Sequence, residues 1–162
     1  MIYKTVSTSS EDTQRLGQLL GQLLKSPEII ELRADLGGGK TTFVRGLARG
    51  LGSKDQVSSP TFTLNKVYKA KAGQQVHHYD FYRLYEAGIM NDELAESLQN
   101  PKVITVVEWS DIVQDVLPED RFSIEFKPTA NNPEGREISI SYPETKAAVV
   151  RKLEAVWQEQ RP

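Results

Sequence analysis

Three consecutive glycines followed by lysine and threonine, Gly37-Gly38-Gly39-Lys40-Thr41, limit what this chain can become more than any other stretch. A short apolar segment, Glu28 to Arg33, precedes them and reads as a strand. An amphipathic segment, Lys40 to Leu51, follows and reads as a helix with Phe43, Val44, Leu47 and Leu51 on one stripe and Gly52 as its stop. A strand that turns into a helix through such a loop exposes successive backbone N–H groups on the inside of a curl, and those groups suit phosphate oxygens. Glycine permits the positive φ angles and close approach this needs. The helix N-terminus adds unpaired donors and the positive end of its dipole.

The residues Ala34-Asp35-Leu36-Gly37-Gly38-Gly39-Lys40-Thr41 match the P-loop pattern except that Ala34 stands at the first glycine. A small side chain fits there if its φ is negative. Lys40 offers a charge to β- and γ-phosphates and Thr41 a hydroxyl to Mg²⁺. A Gly-Lys-Ser/Thr triplet occurs by chance in roughly one chain in ten of this length; the strand, the extra glycines and the helix make chance a poor explanation here. The competing reading is a glycine-rich helix-capping turn.

The remaining pattern is that of an α/β layer fold with a mixed, largely parallel sheet. Ile2 to Val6 reads as a strand and Ser9-Ser10-Glu11-Asp12 as a helix start, with Leu16, Leu19, Leu20, Leu23 and Leu24 at helical spacing. Phe62 to Ala70 and Gln74 to Asp80 read as strands, and Arg83 to Leu98 as partly helical with a break near Gly88. Val103 to Trp109 is nearly continuous apolar sequence, the mark of a strand buried on both faces. Phe122, Ile124 and Phe126, then Ile138, Ile140 and Tyr142, alternate with polar residues across Asn131 to Gly135, which predicts an antiparallel hairpin with a longish loop. A final helix carries Val149 or Val150, Leu153, Val156 and Trp157.

At 162 residues the expected organisation is one domain, 1–162. The chain has no cysteine, so thiol chemistry, disulfides and Cys-ligated metals are excluded. Net charge is −2, which argues against a strongly basic nucleic-acid binder, although residues 1–80 carry +4 and the rest −6. That asymmetry suits an anionic ligand and equally suits a solvated surface. No apolar stretch approaches the roughly 18 residues of a membrane span, and the N-terminus lacks a signal-peptide pattern, so the expected location is the cytoplasm with no membrane partner.

Metal-assisted chemistry on a nucleotide needs acids near the phosphates. Asp80 closes the segment Gln75 to Asp80, and strand alternation sets it on the side of His78, while adjacent His77 and His78 face opposite ways and make a two-histidine metal site a poor fit. Glu108 closes the apolar run from Val103, at the kind of strand end where ligands gather. Both acids also read as ordinary strand-end surface groups. Trp109 reads either as a cover for a nucleotide or as packing. Thr61, in Ser58-Ser59-Pro60-Thr61-Phe62-Thr63, reads as a simple turn or as a switch-type threonine reaching a metal or γ-phosphate. Arg83 reads as an arginine finger, a partner contact or a surface residue. Asn65-Lys66-Val67-Tyr68 lacks the acid of the guanine-reading Asn-Lys-x-Asp motif and comes too early in the chain, which favours adenine.

Taken together, Gly39-Lys40-Thr41-Thr42-Phe43, Ser59-Pro60-Thr61-Phe62-Thr63-Leu64, His78-Tyr79-Asp80-Phe81-Tyr82-Arg83-Leu84 and Val107-Glu108-Trp109 resemble the motifs of the bacterial TsaE (YjeE) family in order and approximate spacing. This family is the ATPase component of tRNA threonylcarbamoyladenosine (t6A) synthesis. The resemblance implies a small P-loop NTPase-like three-layer domain and ATP with Mg²⁺ as cofactors. It implies nucleotide contacts from Leu36, Gly37, Gly38, Gly39, Lys40, Thr41, Thr42, Thr61 and Trp109. Lys40, Asp80 and Glu108 would be catalytic, and Thr41, Asp80 and Glu108 would face the metal. It also implies ATP hydrolysis, slow alone, that supports turnover of TsaD and TsaB as partners. Contact with tRNA would be indirect or weak; Arg45, Arg49, Lys54, Lys66, Lys69 and Lys71 are the basic residues available for it, and solvated faces explain them equally well. The chain departs from the family pattern at Ala34 and at Ser110, where proline is usual and would restrain the loop more. A nucleotide-gated binding module and a small P-loop kinase are the alternatives, the second disfavoured by the lack of an arginine cluster after the P-loop region.

Overall fold

The computed structural model describes residues 1–161 except Leu36, Phe62, Arg83, Tyr85, Glu86, Ala87 and Ile89. Along the chain lie β1 (Ile2–Ser7), α1 (Ser10–Leu23), β2 (Glu28–Arg33), α2 (Lys40–Gly50), β3 (Asn65–Lys69), β4 (Gln75–Asp80), α3 (Met90–Gln99), β5 (Val103–Glu108), β6 (Phe122–Thr129), β7 (Asn132–Ser141) and α4 (Ala147–Glu159).

The strands form a single sheet in the order β1-β7-β6-β2-β5-β4-β3. The central pairs β2–β5, β2–β6 and β4–β5 are parallel, and β1–β7, β6–β7 and β3–β4 are antiparallel. Alternation along the strands divides the core in two. On one face Ile30, Leu32, Ile104, Val106, Ile124 and Phe126 pack against α1, α2 and α4 through Leu16, Leu20, Phe43, Leu47 and Leu153. On the other, Tyr79, Phe81 and Val107 pack against Leu94 of α3 and Val113 and Leu117 beyond β5. This is the three-layer mixed α/β architecture expected from the sequence, with β5 buried at all six residues.

Local chemistry explains the ends of the elements. Ser9 caps α1 by accepting from the Asp12 N–H, 3.1 Å away. Gly39 caps α2 with φ of 98°, and Gly52 ends that turn with φ of 84°. Helices α1 and α2 meet backbone to backbone: a Cβ on Gly46 would lie 1.8 Å from the Gln14 carbonyl oxygen, and one on Gly17 2.3 Å from that of Phe43. The helix carrying the glycine loop is thus seated on α1 at a distance only glycine allows.

Two boundaries differ from expectation. β3 begins at Asn65, later than expected: the Thr63 and Leu64 N–H groups both turn back to the Pro60 carbonyl and Leu64 takes a positive φ of 65°, while the expected start at Phe62 lies outside the described residues. The loop of the β6–β7 hairpin is short: Thr129 pairs with Asn132, and Pro133 to Gly135 belong to β7. An irregularity at Pro128/Thr129 absorbs the register shift, so the proline that looked like a loop residue sits at the strand's start.

Candidate functional site

Parallel pairing brings the carboxyl ends of β2, β4 and β5 together, where the glycine loop leaves β2. There Asp80 pairs with Glu108 across β4–β5, and Leu32 with Glu108 across β2–β5. One cleft is lined by Gly37, Gly38, Gly39, Lys40, Thr41, Thr42, Thr61, Asp80, Glu108 and Trp109, joined by Ser10, Ser59 and Arg136. Every site residue expected from sequence is in this cleft except Leu36, which lies outside the described residues, as does Arg83.

The loop is a tight turn. Gly37 and Gly39 take φ of 74° and 98°. The Gly38 N–H donates to the Asp35 carbonyl at 2.9 Å, and Phe43 begins the helical ladder with a bond to the Gly39 carbonyl at 2.9 Å. A Cβ on Gly38 would come within 2.5 Å of the Ala34 Cβ, so these two positions are packed against each other. The non-glycine residues with positive φ among those described are Leu64, Ala72 and Trp109. Ala34 is not one of them, and its methyl is accommodated.

Lys40 is 7% exposed and donates from Nζ to the carbonyl oxygens of Ala34 (2.8 Å) and Asp35 (3.3 Å). Its ammonium also lies 4.8 Å from the centre of the Trp109 ring, a cation–π contact. Burial lowers the Lys40 pKa, against the opposing pull of Glu108, Asp80 and Asp35. The ammonium is thus desolvated and held close to the glycine loop.

The two acids have different surroundings. Asp80 Oδ2 accepts from the Thr61 hydroxyl at 2.8 Å, and Oδ1 accepts from the Tyr82 N–H at 2.9 Å. Thr61 is linked in turn to the Ser59 hydroxyl at 2.7 Å. Thr61, read from sequence as either a turn or a switch residue, is therefore tied to the strand-end acid. Glu108, 2% exposed, has His78 Nε2 3.1 Å from its Oε1. The approach is off the line a hydrogen bond requires, so Glu108 Oε1 and both His78 ring nitrogens are buried without a hydrogen-bond partner. His77 points to the other face, where its Nδ1 meets Ser97 Oγ at 2.6 Å.

Beyond Glu108 the chain reverses sharply. Trp109 takes φ of 54°, and its ring lies 4.8 Å from that of Tyr82. Ser110, expected to leave this loop less restrained than proline would, is buried, and its hydroxyl bonds the fully buried Glu31 carboxylate. Gln114, Arg33 and Arg121 donate to the same carboxylate. Burial pushes the Glu31 carboxyl up, but the bonds from Ser110, Arg33, Arg121 and Gln114 together outweigh it and hold it at about 2. The loop carrying Trp109 is therefore anchored from beneath. Sequence reading missed Arg136, whose guanidinium donates to the carbonyls of Gly38 (2.9 Å) and Gly37 (3.1 Å). It lies 96 residues beyond Lys40 in a segment without recognisable motif, so only the folded sheet reveals the contact.

Glycine loop, buried lysine and paired strand-end acids on a three-layer sheet define a P-loop NTPase-like α/β domain. The family model described as "Threonylcarbamoyl adenosine biosynthesis protein TsaE" matches residues 7–138. The chain belongs to the TsaE family, whose members are named for tRNA threonylcarbamoyladenosine biosynthesis. It is 36% identical to the TsaE protein of Treponema pallidum over 138 residues, 85% of this chain and 99% of that one. It is 31% identical to that of Bacillus subtilis over 135 residues, 83% and 82% of the two chains. The crystal structure of Bacillus subtilis YdiB superposes with a TM-score of 0.75 at 27% identity and covers 96% of both chains.

Proposed function

We propose that this chain binds ATP with Mg²⁺ in the cleft at the glycine loop and hydrolyses it, slowly alone, to support repeated t6A formation by TsaD and TsaB. The observation that carries this reading is the convergence on one cleft of Lys40 and Thr41, from the helix that follows β2, with Asp80 and Glu108, from the ends of the adjacent parallel strands β4 and β5.

The donor set suits a hard cation. Two carboxylates and the hydroxyls of Thr41 and Thr61 line the cleft, and Glu108 Oε1 is buried without a partner. Mg²⁺ suits such a set because it is held by one or two carboxylates and keeps waters and phosphate oxygens in its shell. Thr41, Asp80 and Glu108 would face the ion, which when bound offsets negative charge on the phosphate oxygens.

The chain's own residues do the rest. Backbone N–H groups of the loop bind the phosphates. Lys40 exchanges its carbonyl contacts for the β- and γ-phosphates and offsets the charge that develops there in the transition state. Asp80, already oriented by Thr61 and Tyr82, anchors the metal side of the cleft. Glu108, at the end of β5 in the cleft lining, positions the attacking water and receives its proton as the new P–O bond forms and the bond to the ADP oxygen breaks. Trp109 shields the lysine side of the cleft from water.

Lys40→Ala tests this directly. Binding of labelled ATP should fall ~100-fold or more with the circular dichroism spectrum unchanged. Parent-like binding by that variant overturns the reading. With the parent, phosphate should be released as the free anion; its appearance on an acceptor instead would indicate a kinase.

A further inference from the structure

We propose that Arg136 is the positioning residue for the nucleotide-binding loop, holding its peptide planes in register from the far side of the cleft. This rests on the nucleotide-binding reading above. Arg136 lies on β7, between Ser7 of β1 and Pro128 of β6 in the sheet register. Its guanidinium is fixed from both ends. Nη1 donates to the carbonyls of Pro133 and Gly135, each at 2.7 Å, within its own strand. Nε and Nη2 reach 2.9 and 3.1 Å to the carbonyls of Gly38 and Gly37. Four of the five guanidinium N–H groups are thus spent on carbonyls, and the planar fork imposes their geometry. This is the arrangement of a clamp on the loop.

The consequence follows from the planarity of the peptide bond. In a trans peptide the carbonyl and the following N–H point to opposite sides. Turning the Gly37 carbonyl toward Arg136 aims the Gly38 N–H away from it, where it closes the turn on Asp35. Turning the Gly38 carbonyl the same way aims the Gly39 N–H away from the arginine. The cation also covers two carbonyl dipoles whose negative ends would otherwise lie beside a polyphosphate. Glycines with positive φ are free to take other conformations, so a loop of three needs an outside restraint to keep one. Arg136 acts on Gly37 and Gly38, ahead of Lys40, and its hydrogen bonds all go to loop and strand carbonyls. Its removal therefore weakens nucleotide binding and leaves the chemistry of bound nucleotide intact.

The test is calorimetric titration with Mg-ATP and Mg-ADP, below the melting temperature of each protein, together with steady-state hydrolysis. Arg136→Ala should raise both Kd values ~10-fold or more and raise KM in parallel, with kcat at saturation within about threefold of the parent. Arg136→Lys keeps the charge but cannot fork two donors onto neighbouring carbonyls, so it too should lose ~3-fold or more in affinity, and it decides the matter if the alanine variant does not fold. A purely structural role for the arginine would lower the melting temperature with parent-like Kd values, and that result overturns the proposal. So does an unchanged Kd with a collapsed kcat. Lys40→Ala is run alongside: if it too binds nucleotide like the parent, the nucleotide-binding reading fails, whereas loss of binding there with none at Arg136 sinks the clamp alone.

Discussion

Asp80 and Glu108 occupy equivalent places at the ends of paired strands but have different neighbours. Both Asp80 oxygens already accept hydrogen bonds, from Thr61 and from the Tyr82 backbone, while Glu108 Oε1 has none. With both Asp80 oxygens engaged, the water and its proton are assigned to Glu108. Glu108→Ala should therefore lower kcat ~100-fold or more with nucleotide affinity within a few-fold of the parent, and Asp80→Ala should raise the Mg²⁺ concentration needed for half-maximal hydrolysis. Single-turnover hydrolysis and a Mg²⁺ titration check these; unchanged hydrolysis in both variants removes the acids from the catalytic set. The two acids were legible in the sequence because each ends a strand-like run, and alternation sets the side chain of Asp80 on the same face as His78. Arg136 was not, because nothing local distinguishes an arginine two residues beyond Pro-Glu from any surface arginine.

At the scale of elements, the loop after β5 is held by a buried network that the sequence did not suggest. Glu31 is fully buried in β2 and takes hydrogen bonds from Ser110, Arg33, Arg121 and Gln114, which come from four places in the chain. An acid inside an apolar strand pattern reads as an irregularity until its partners are brought to it. Its carboxyl is held at about 2 against an ordinary 4.5. The sign is that of a depressed acid: the stabilisation, on the order of 3 kcal/mol, is complete above about pH 4.5 and fades as the pH falls toward 2. Urea unfolding of the parent and of Glu31→Gln should therefore differ most at pH 6 and converge near pH 2.5. A gap that stays constant over that range contradicts the assignment. The strand and helix cores, by contrast, followed the hydrophobic pattern. The misplaced boundaries, at Thr63 and Leu64 and at Pro133 to Gly135, are where backbone turns and a strand irregularity override side-chain pattern.

For the whole molecule, the sheet order β1-β7-β6-β2-β5-β4-β3 decides where the cleft forms. β2 lies between β5 and β6, so the loop leaving its carboxyl end has the acid strands on one side and the β6–β7 hairpin on the other. That order was not readable from the sequence, because non-neighbouring strands are joined by tertiary packing and not by local signal. It gives the C-terminal hairpin a place at the site through Arg136. No described helix is long and apolar enough to cross a membrane. What remains is whether the cleft drives t6A formation. The direct measurement is t6A formed per TsaD–TsaB complex, with ATP and tRNA, in the presence of this chain, in its absence, and with Lys40→Ala in its place. Many products per complex with the parent, and about one or fewer without it or with the variant, is the expected result; equal product in all three would contradict the proposed function.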